Sequence, residues 1–230
     1  MKVEIWSDVV CPWCYIGKRR FERALAAFPG AGQVEVVYRP YQLDPGAPAE
    51  PMPTKQRLAQ RYGGSVEAMV RNAADAAKAE GLVMDFDRML SANTLAAHRL
   101  LAMAEAEHGA EVQRDVAERL FRAHFTNGAD VGDPDVLARI AGEAGMDAAR
   151  VRGRLAAGEG LTEVRREIGE ARAMGITAVP TFVFDGRWAV QGAQPASAFL
   201  QALEAVAAET AAVPAGDAAG GACADDACIV

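Results

Sequence analysis

A CxxC motif near the start of the chain is the feature with the clearest chemistry. Cys11 and Cys14 flank Pro12 and Trp13, between a short apolar segment that predicts a strand and an amphipathic segment that predicts a helix. Proline is tolerated in the first helical turn because the N–H it lacks would have no partner there. A helix N-terminus stabilises a thiolate and lowers the pKa of the thiol. We therefore predict that Cys11 is the attacking thiolate, that Cys14 is the resolving thiol, and that Trp13 shapes an apolar docking surface.

A zinc site and a buried structural pair are the alternatives to redox chemistry for this motif. Structural zinc takes four ligands, and a second close pair of cysteines is its usual companion. The other two cysteines, Cys223 and Cys228, lie at the far end of the chain. The strand-to-helix context and the Pro-Trp pair favour redox chemistry. We expect no metal and no organic cofactor.

A second informative run, residues 174–184, indicates a helix end, a turn and then a strand. Gly175 suits the position just after a helix. Pro180 stands directly before strand-forming residues, where proline is tolerated only at an end or an edge. Asp185 and Gly186 then predict a tight turn into a second strand. Alone this run is weak support, since most X-Pro bonds are trans, but it gains weight from the CxxC motif.

Together these motifs resemble those of DsbA-like members of the thioredoxin-fold superfamily, and among them the cytoplasmic FrnE-type oxidoreductases, which are related to 2-hydroxychromene-2-carboxylate isomerase. The segments that carry the resemblance are residues 7–17, 93–99 and 175–182. The resemblance implies that Pro180 is a cis-proline facing the two sulfurs. It also implies that the Val179 backbone would form hydrogen bonds with an extended substrate, as the edge strand of a sheet does. The related isomerases characteristically have serine where this chain has Cys11, so the cysteine favours disulfide chemistry.

Two polar residues of the middle segment are candidates for substrate binding. Asn93 and His98 could line the cleft above Cys11. The ordinary alternative is that Asn93 caps a helix and that His98 is a partly buried, hydrogen-bonded histidine. Asp8 could perturb the thiolate, although a loop aspartate is the ordinary interpretation. His124 carries no motif, and we predict no role for it.

The order of elements predicts an α/β protein with a thioredoxin-like fold interrupted by an all-helical insertion. A strand, the CxxC helix and a second strand over residues 33–41 form a βαβ start, so these two strands should be parallel. Strong segments from residue 54 to about 146 look helical, with helix starts predicted at Ser65, Asn93 and Asp133-Pro134. A last helix should run from Pro195 to about Ala208. The predicted units are a split thioredoxin-like domain at 1–45 and 160–208, a helical insertion at 54–158 and a flexible tail at 209–230.

Composition narrows the class of protein. The 230 residues are 51% hydrophobic, enough for a large core, and carry a formal net charge of −7, which argues against a general nucleic-acid binder. No run approaches the roughly eighteen apolar residues of a membrane span. The chain enters its first strand almost at once, with no basic and apolar leader ahead of it. We therefore expect a cytoplasmic protein without nucleic-acid or membrane partners.

The tail cysteines are the least expected feature. Cys223 and Cys228 follow an Ala/Gly-rich stretch of the kind that is normally disordered. Some fifteen flexible residues span roughly 20 Å on average and about 50 Å when extended, so the tail could reach the domain. We predict a secondary redox pair that exchanges with Cys11 and Cys14, or a disulfide that pins the tail. A metal site using Asp225 or Asp226 and a merely disordered tail are the alternatives.

The function that this sequence favours is a thiol–disulfide oxidoreductase or isomerase. Its partners would be proteins that contain disulfides or dithiols, with glutathione as a further candidate. A thiol-dependent enzyme acting on aromatic or polyketide small molecules is one alternative. Holdase-type binding of unfolded chains is the other.

Overall fold

The computed structural model describes residues 1–48, 50–63 and 65–212. In chain order, the strands are β1 (Lys2–Ser7), β2 (Glu35–Pro40), β3 (Met52–Pro53), β4 (Leu90–Ser91), β5 (Thr181–Phe184) and β6 (Trp188–Gln191). The helices are α1 (Pro12–Ala27), α2 (Thr54–Tyr62), α3 (Glu67–Ala79), α4 (Leu95–His108), α5 (Ala110–Phe125), α6 (Pro134–Glu143), α7 (Ala148–Ala156), α8 (Leu161–Ala173) and α9 (Ala196–Ala212). None of these helices is both long enough and apolar enough to span a membrane.

One mixed sheet organises the thioredoxin-like part, in the order β2-β1-β5-β6. β1 is parallel to β2 and antiparallel to β5, and β5 forms a hairpin with β6. The predicted parallel βαβ start is therefore confirmed. The predicted hairpin is confirmed as well, because Asp185 and Gly186 both adopt positive φ and turn the chain between its strands.

An aromatic cluster fixes the CxxC helix against this sheet. Phe21 of α1 lies 5.2 Å from Phe182 of β5 and 5.6 Å from Phe199 of α9, measured between ring centroids. All three side chains are buried. Aromatic pairs at these distances add to the free energy of burial. The cluster therefore sets the position of α1, and with it the position of the motif at its N-terminus.

The inserted region docks on the open edge of the sheet, where a buried amide pairs with the strand backbone. β2 is an edge strand, whose free backbone groups need a partner. The Gln113 side chain of α5 supplies it: its Oε1 accepts from the Tyr38 N–H at 2.8 Å and its Nε2 donates to the Tyr38 oxygen at 3.0 Å. This pairing satisfies the Tyr38 backbone groups of the edge strand and couples the insertion to the sheet.

The fold class is confirmed, with small departures inside the insertion. β4 lies in the region predicted to be entirely helical and pairs with β3, so the insertion carries one short strand. α6 begins as predicted, since the Asp133 carboxylate accepts from the Asp135 N–H at 2.7 Å and Pro134 occupies the first turn. The predicted cap at Ser65 is wrong. Its hydroxyl contacts the Glu67 carboxylate, and α3 begins two residues later than Ser65.

The last helix is longer than predicted. α9 runs to Ala212, so the predicted start of the tail at residue 209 falls within a helix. Its alanine-rich sequence has a high helix propensity, which extends the helix past the apolar positions that pack on the domain. The cysteines predicted as a secondary redox pair, Cys223 and Cys228, lie outside the described residues.

Candidate active site

The CxxC motif occupies the N-terminus of α1. Cys11 is the N-cap residue, in an extended conformation, and Pro12 is the first helical residue as predicted. The Cys11 N–H donates to the Asp8 oxygen at 3.0 Å, and the Cys11 oxygen accepts from the Cys14 N–H at 3.1 Å. Both cysteines are free thiols. This backbone arrangement places the first sulfur at the positive end of the helix dipole.

A proline loop from the distant end of the chain meets the first sulfur. The Val179–Pro180 peptide bond is cis, as the sequence resemblance implied. The Cys11 thiol lies 3.8 Å from the Val179 oxygen, to which it donates. The loop follows α8, and Gly175, with φ +80°, stands just after the C-cap Met174, as predicted. The Val179 backbone therefore lies beside the Cys11 sulfur, whereas the position of Pro180 opposite both sulfurs stays a prediction.

Close packing of α1 on this loop requires a glycine. A Cβ atom on Gly17 would lie 2.9 Å from Pro180 Cγ and 3.4 Å from Ala193 Cα. Real Cβ atoms do not approach carbon this closely, so any larger residue must displace the proline ring. Gly17 therefore fixes the separation between the CxxC helix and the proline loop.

We predict that Gly17→Ala lowers both stability and the rate of disulfide exchange. Overpacking of this kind costs about 1–3 kcal/mol, against a gain of roughly 0.5–1 kcal/mol from removing a helical glycine. Urea unfolding and exchange assays would measure the two effects. Gly169→Ala in α8 is the matched control, since a Cβ there would meet no atom within 4 Å. Equal behaviour of the two variants would contradict the packing role of Gly17.

A cavity of about 390 Å³ opens beside Cys11. The CxxC turn contributes one part of its lining, and α2 and α3 contribute another. Its lining residues include Cys11, Trp13, Leu58, Tyr62, Met69, Phe86, Met89, His124 and Phe125. Most of the lining is apolar, and a cavity of this size accommodates a small ligand or one or two side chains. Cys14 is absent from the described lining residues, so a ligand in the cavity meets the first sulfur only.

Exposed apolar side chains surround the mouth of this cavity. Trp13, Tyr62 and Met69 are 36%, 57% and 47% exposed, respectively. Exposed apolar residues that cluster beside a cavity are typical of binding surfaces. The apolar docking surface predicted around Trp13 therefore has two further members, both from the insertion.

Two arginines of α2 also border the cavity, and both donate hydrogen bonds to the segment that follows β2. The Arg57 guanidinium donates two hydrogen bonds to the Asp44 carboxylate, at 2.8 and 3.1 Å, and holds the pKa of that carboxyl below its usual range. Arg61 donates to the Leu43 oxygen at 2.5 Å. These contacts attach α2 to the segment that follows β2, and they position the part of the cavity lining that α2 contributes.

The two thiols differ in their surroundings. Burial is the main cause that raises the pKa of Cys14 well above its usual value, and the neighbouring Cys11 raises it further. The Ser7 hydroxyl and the Asp8 backbone N–H lie beside the Cys14 sulfur and act in the opposite direction. Cys14 is therefore held as a neutral thiol at neutral pH.

A buried lysine network fixes the next turn of α1 on α5. Lys18 is 3% exposed, and its Nζ donates to Glu22 at 2.7 Å and to Glu118 at 2.5 Å. The Tyr15 hydroxyl donates to the same Glu118 carboxylate at 2.8 Å. Paired in this way, the buried charge is tolerated. The network joins the helix of the motif to the helix that contributes His124.

Neither of the candidate binding residues Asn93 and His98 belongs to the described lining of the cavity. The Asn93 Oδ1 accepts from the Leu95 N–H at 3.1 Å and from Gln42 at 3.2 Å, so it supports the start of α4. His98 is 2% exposed, with its Nε2 3.4 Å from the Asp8 carboxylate. Their predicted contact with a substrate in this cavity therefore has no support from geometry.

His124 is the cavity residue that sequence reasoning missed. It is 1% exposed, lines the cavity, and its Nδ1 has no hydrogen-bond partner within the described residues. Burial lowers the pKa of His124 to about 4, although the charge of Asp8 acts to raise it. A lone histidine near a helix end gives no signal in the sequence, because its position at the cavity depends on how α5 packs.

We predict that His124 makes stability fall between pH 6.5 and pH 4. The unfolded imidazole takes up a proton near pH 6.5, but the folded one does so only near pH 4. The neutral His124 therefore contributes its full stabilisation above pH 6.5. This contribution is lost as the pH falls to 4, which lowers the free energy of unfolding by about 3 kcal/mol. Urea unfolding across this range should give a shallower pH dependence for His124→Gln than for the parent protein. Parallel curves would contradict the assignment.

Comparison with known proteins identifies the family. The model of the DSBA-like thioredoxin domain matches residues 2–204. The chain is 29% identical over 210 residues to the uncharacterized protein YwbO of Bacillus subtilis, covering 87% of this chain and 94% of that protein. A crystal structure of a probable DsbA oxidoreductase from Streptomyces coelicolor is 40% identical, with a TM-score of 0.86 and coverage of 100% of this chain and 99% of that one.

A more distant structure shares the fold. The cytosolic disulfide reductase DsbM of Pseudomonas aeruginosa is 17% identical, with a TM-score of 0.64 and coverage of 91% of this chain and 100% of that one. A structure of DsbM with glutathione is also known. Because the family model spans nearly the whole chain, from the first strand into the last helix, this protein belongs to the DSBA-like thioredoxin domain family.

Proposed function

We propose that this protein is a thiol–disulfide oxidoreductase that acts through the dithiol of Cys11 and Cys14. Members of its family are disulfide oxidoreductases. The observation that carries the proposal is the position of the Cys11 sulfur. It lies at the N-terminus of α1, 3.8 Å from the Val179 oxygen, in the wall of the cavity. A disulfide that enters the cavity would therefore meet Cys11 before Cys14.

The proposed reaction is a pair of exchanges at sulfur. The Cys11 thiolate attacks one sulfur of a substrate disulfide, which breaks that S–S bond and forms a mixed disulfide with release of the first substrate thiolate. Cys14 then attacks the Cys11 sulfur, closes the protein disulfide and releases the second thiolate. The substrate gains two electrons and the protein loses two. The reverse sequence oxidises a dithiol, and exchange with another thiol of the same substrate isomerises it.

The proposed substrates are protein disulfides and dithiols. The exposed apolar side chains of Trp13, Tyr62 and Met69 around the cavity fit segments of an unfolded or extended chain. The nearby Val179 backbone would pair with such a segment. Glutathione is the proposed small partner, in line with the shared fold of DsbM, whose structure is also known with glutathione. We propose a cytoplasmic location and membership of the FrnE-type group on the resemblance of the two active-site motifs.

Equilibration with glutathione tests the proposal and sets the direction of the reaction. The purified protein should reduce insulin with a thiol donor, and its dithiol should reach equilibrium with defined glutathione buffers. The reduction potentials of related folds span about −270 to −120 mV. A reduction potential near −270 mV would indicate a reductase, and one near −120 mV would indicate an oxidase. Absence of exchange with both insulin and glutathione would contradict the proposal.

The exposed apolar patch also favours an accessory function, the binding of unfolded chains. Such binding depends on the patch and should survive loss of both active-site sulfurs. Suppression of aggregation by the variant Cys11→Ser/Cys14→Ser would therefore support it. Thiol-dependent turnover of an aromatic small molecule without any protein-disulfide activity would instead favour the small-molecule enzyme.

For the tail we propose that Cys223 and Cys228 form a second redox pair, or a disulfide that pins the tail. Replacing both with serine should change turnover or redox potential, because a second pair would pass electrons to Cys11 and Cys14. Thiol counting in the parent protein gives the oxidation state of the tail. Unchanged turnover and potential, with two permanently free tail thiols, would leave the pair without a redox role.

A further inference from the structure

Two residues with buried, unpaired polar atoms line the cavity beside Cys11. His124 on α5 is 1% exposed, and its Nδ1 has no hydrogen-bond partner within the described residues. Thr54, the first residue of α2, has a buried hydroxyl that also lacks a partner there. Both residues belong to the described lining of the cavity, together with Cys11. Buried polar atoms are normally satisfied, so two exceptions in one lining need an explanation.

Backbone hydrogen bonds hold both residues in place. The Thr54 N–H donates to the Met89 oxygen at 3.0 Å, and the Asp85 N–H donates to the Phe125 oxygen at 2.8 Å. These bonds join the start of α2 and the end of α5 to the segment between α3 and β4. The His124 ring also packs edge-on against Phe125, with ring centroids 4.6 Å apart. The two polar groups therefore belong to a preformed part of the lining.

The rest of the lining favours a ligand with an aromatic body. Phe86, Met89 and Phe125 are buried and line the cavity, and Leu58 and Met69 line it from α2 and α3. Aromatic rings and methionine sulfur both pack favourably against a further ring. The volume of about 390 Å³ accommodates one or two side chains. A ligand that matches this lining therefore has an aromatic body and one polar end.

The charge state of His124 restricts the polar end to a neutral group. Burial lowers the pKa of His124 to about 4, so its imidazole is neutral at neutral pH. A neutral imidazole has one donor and one acceptor nitrogen, whereas a hydroxyl both donates and accepts. A phenol hydroxyl therefore suits His124 in either tautomer. A charged group would lose its hydration without gaining an ionised partner in His124.

The ionised groups of the lining are already paired with one another. The Arg57 Nε lies 2.8 Å from Asp44 Oδ2, and the Arg61 Nη1 lies 3.8 Å from the same oxygen. Arg57 also donates to the Gly46 oxygen at 3.0 Å, and Arg61 donates to the Leu43 oxygen at 2.5 Å. An acidic ligand would compete with Asp44 for both guanidiniums, so the lining favours a neutral ligand.

We propose that the cavity receives a tyrosine side chain one or two residues from the cysteine of a protein substrate, and that His124 selects it by hydrogen bonding to the phenol hydroxyl. This inference rests on the function proposed above and adds a substrate class, disulfides beside tyrosine. Cys11 lines the same cavity, and residues of an extended chain rise only about 3.3 Å each. The ring and the reacting sulfur can therefore be bound together. Phenylalanine would fill the same space but leave His124 unpaired, which slows attack by Cys11.

Short peptides activated at one cysteine measure this selection. In each blocked peptide the cysteine forms a mixed disulfide with 2-nitro-5-thiobenzoate, and attack by Cys11 on the peptide sulfur releases the coloured thiolate. The peptides carry tyrosine, phenylalanine or glutamate at each position within two residues of the cysteine. Second-order rate constants are divided by those for free dithiothreitol, which removes differences in intrinsic reactivity. At the best position, the parent protein should prefer tyrosine to phenylalanine roughly tenfold, and glutamate should react slowest.

Variants of His124 show whether this residue makes the selection. His124→Leu should bring the tyrosine and phenylalanine rate constants within about twofold of each other. His124→Gln, which keeps a donor and an acceptor, should retain part of the preference. The ratio is taken within one variant, so changes in Cys11 reactivity or in the folded fraction cancel. His124→Phe takes the place of His124→Leu if the latter does not fold. His108→Leu, which changes an exposed histidine of α4, is the control and should keep the ratio of the parent protein.

The parent protein alone can refute the proposal. Equal rate constants for the tyrosine and phenylalanine peptides would overturn it, as would an unchanged ratio in His124→Leu. Faster attack on the glutamate peptide would also overturn it, and would assign the cavity to an acidic partner of Arg57 and Arg61. Absence of reaction with every peptide would instead refute the proposed function.

Discussion

Replacing Cys11 with serine should abolish insulin reduction and glutathione exchange, leaving the uncatalysed rate. A serine hydroxyl is not ionised at neutral pH, so it cannot serve as the nucleophile. Cys14 cannot take over this role. It is buried outside the described cavity lining, and burial keeps its thiol protonated. Insulin turbidity and the glutathione equilibrium measure the loss.

The fold should survive this substitution. Serine is close in size to cysteine, and the Cys11 backbone contacts with Asp8 and Cys14 do not involve the sulfur. Unchanged urea unfolding would show that lost activity reflects lost chemistry. Retention of full exchange activity in Cys11→Ser would contradict the assignment of the nucleophile.

Replacing Cys14 with serine should convert the protein into a trap for its substrates. Cys11 would still attack, since it alone of the two sulfurs faces the cavity. Without the second thiol the mixed disulfide could be released only by an external thiol, so it should accumulate towards one substrate per protein. Intact mass measurement after mixing with oxidised glutathione or insulin gives the yield.

Two controls define this outcome. The double variant Cys11→Ser/Cys14→Ser should form no adduct at the active site, and a reductant should release the adduct from Cys14→Ser. Because the tail cysteines could also react, the adduct must be located at Cys11 by peptide mapping. Rapid turnover by Cys14→Ser without an accumulated adduct would contradict the resolving role of Cys14.

Local sequence signals predicted the parts of the site that depend on backbone chemistry. Pro12 in the first helical turn, Gly175 at a helix end and Asp185-Gly186 in a hairpin each follow from conformational preferences of a few residues. The pairing of the CxxC motif with Pro180 came from resemblance to a family, because nothing local in the chain connects residues so far apart.

The lining of the cavity and the buried contact between Asp8 and His98 could not be predicted in this way. Leu58 and Met69 reach the cavity from two insertion helices, and His124 reaches it from a third, so its shape depends on how these helices pack. The contact of His98 with Asp8 joins a helix of the insertion to the CxxC loop. Helical periodicity predicts that a residue is buried, but it does not predict the residue that it contacts.

The alkylation rates of the two thiols test the central claim most directly. The reduced protein would be treated with limiting iodoacetamide over a time course, and modification at Cys11 and Cys14 followed by peptide mass measurement. Both thiols are buried. We nevertheless predict that Cys11, at the helix N-terminus and in the cavity wall, reacts much faster than Cys14, which lies outside the described cavity lining and whose pKa is raised. Equal rates for the two thiols, or faster modification of Cys14, would contradict the account.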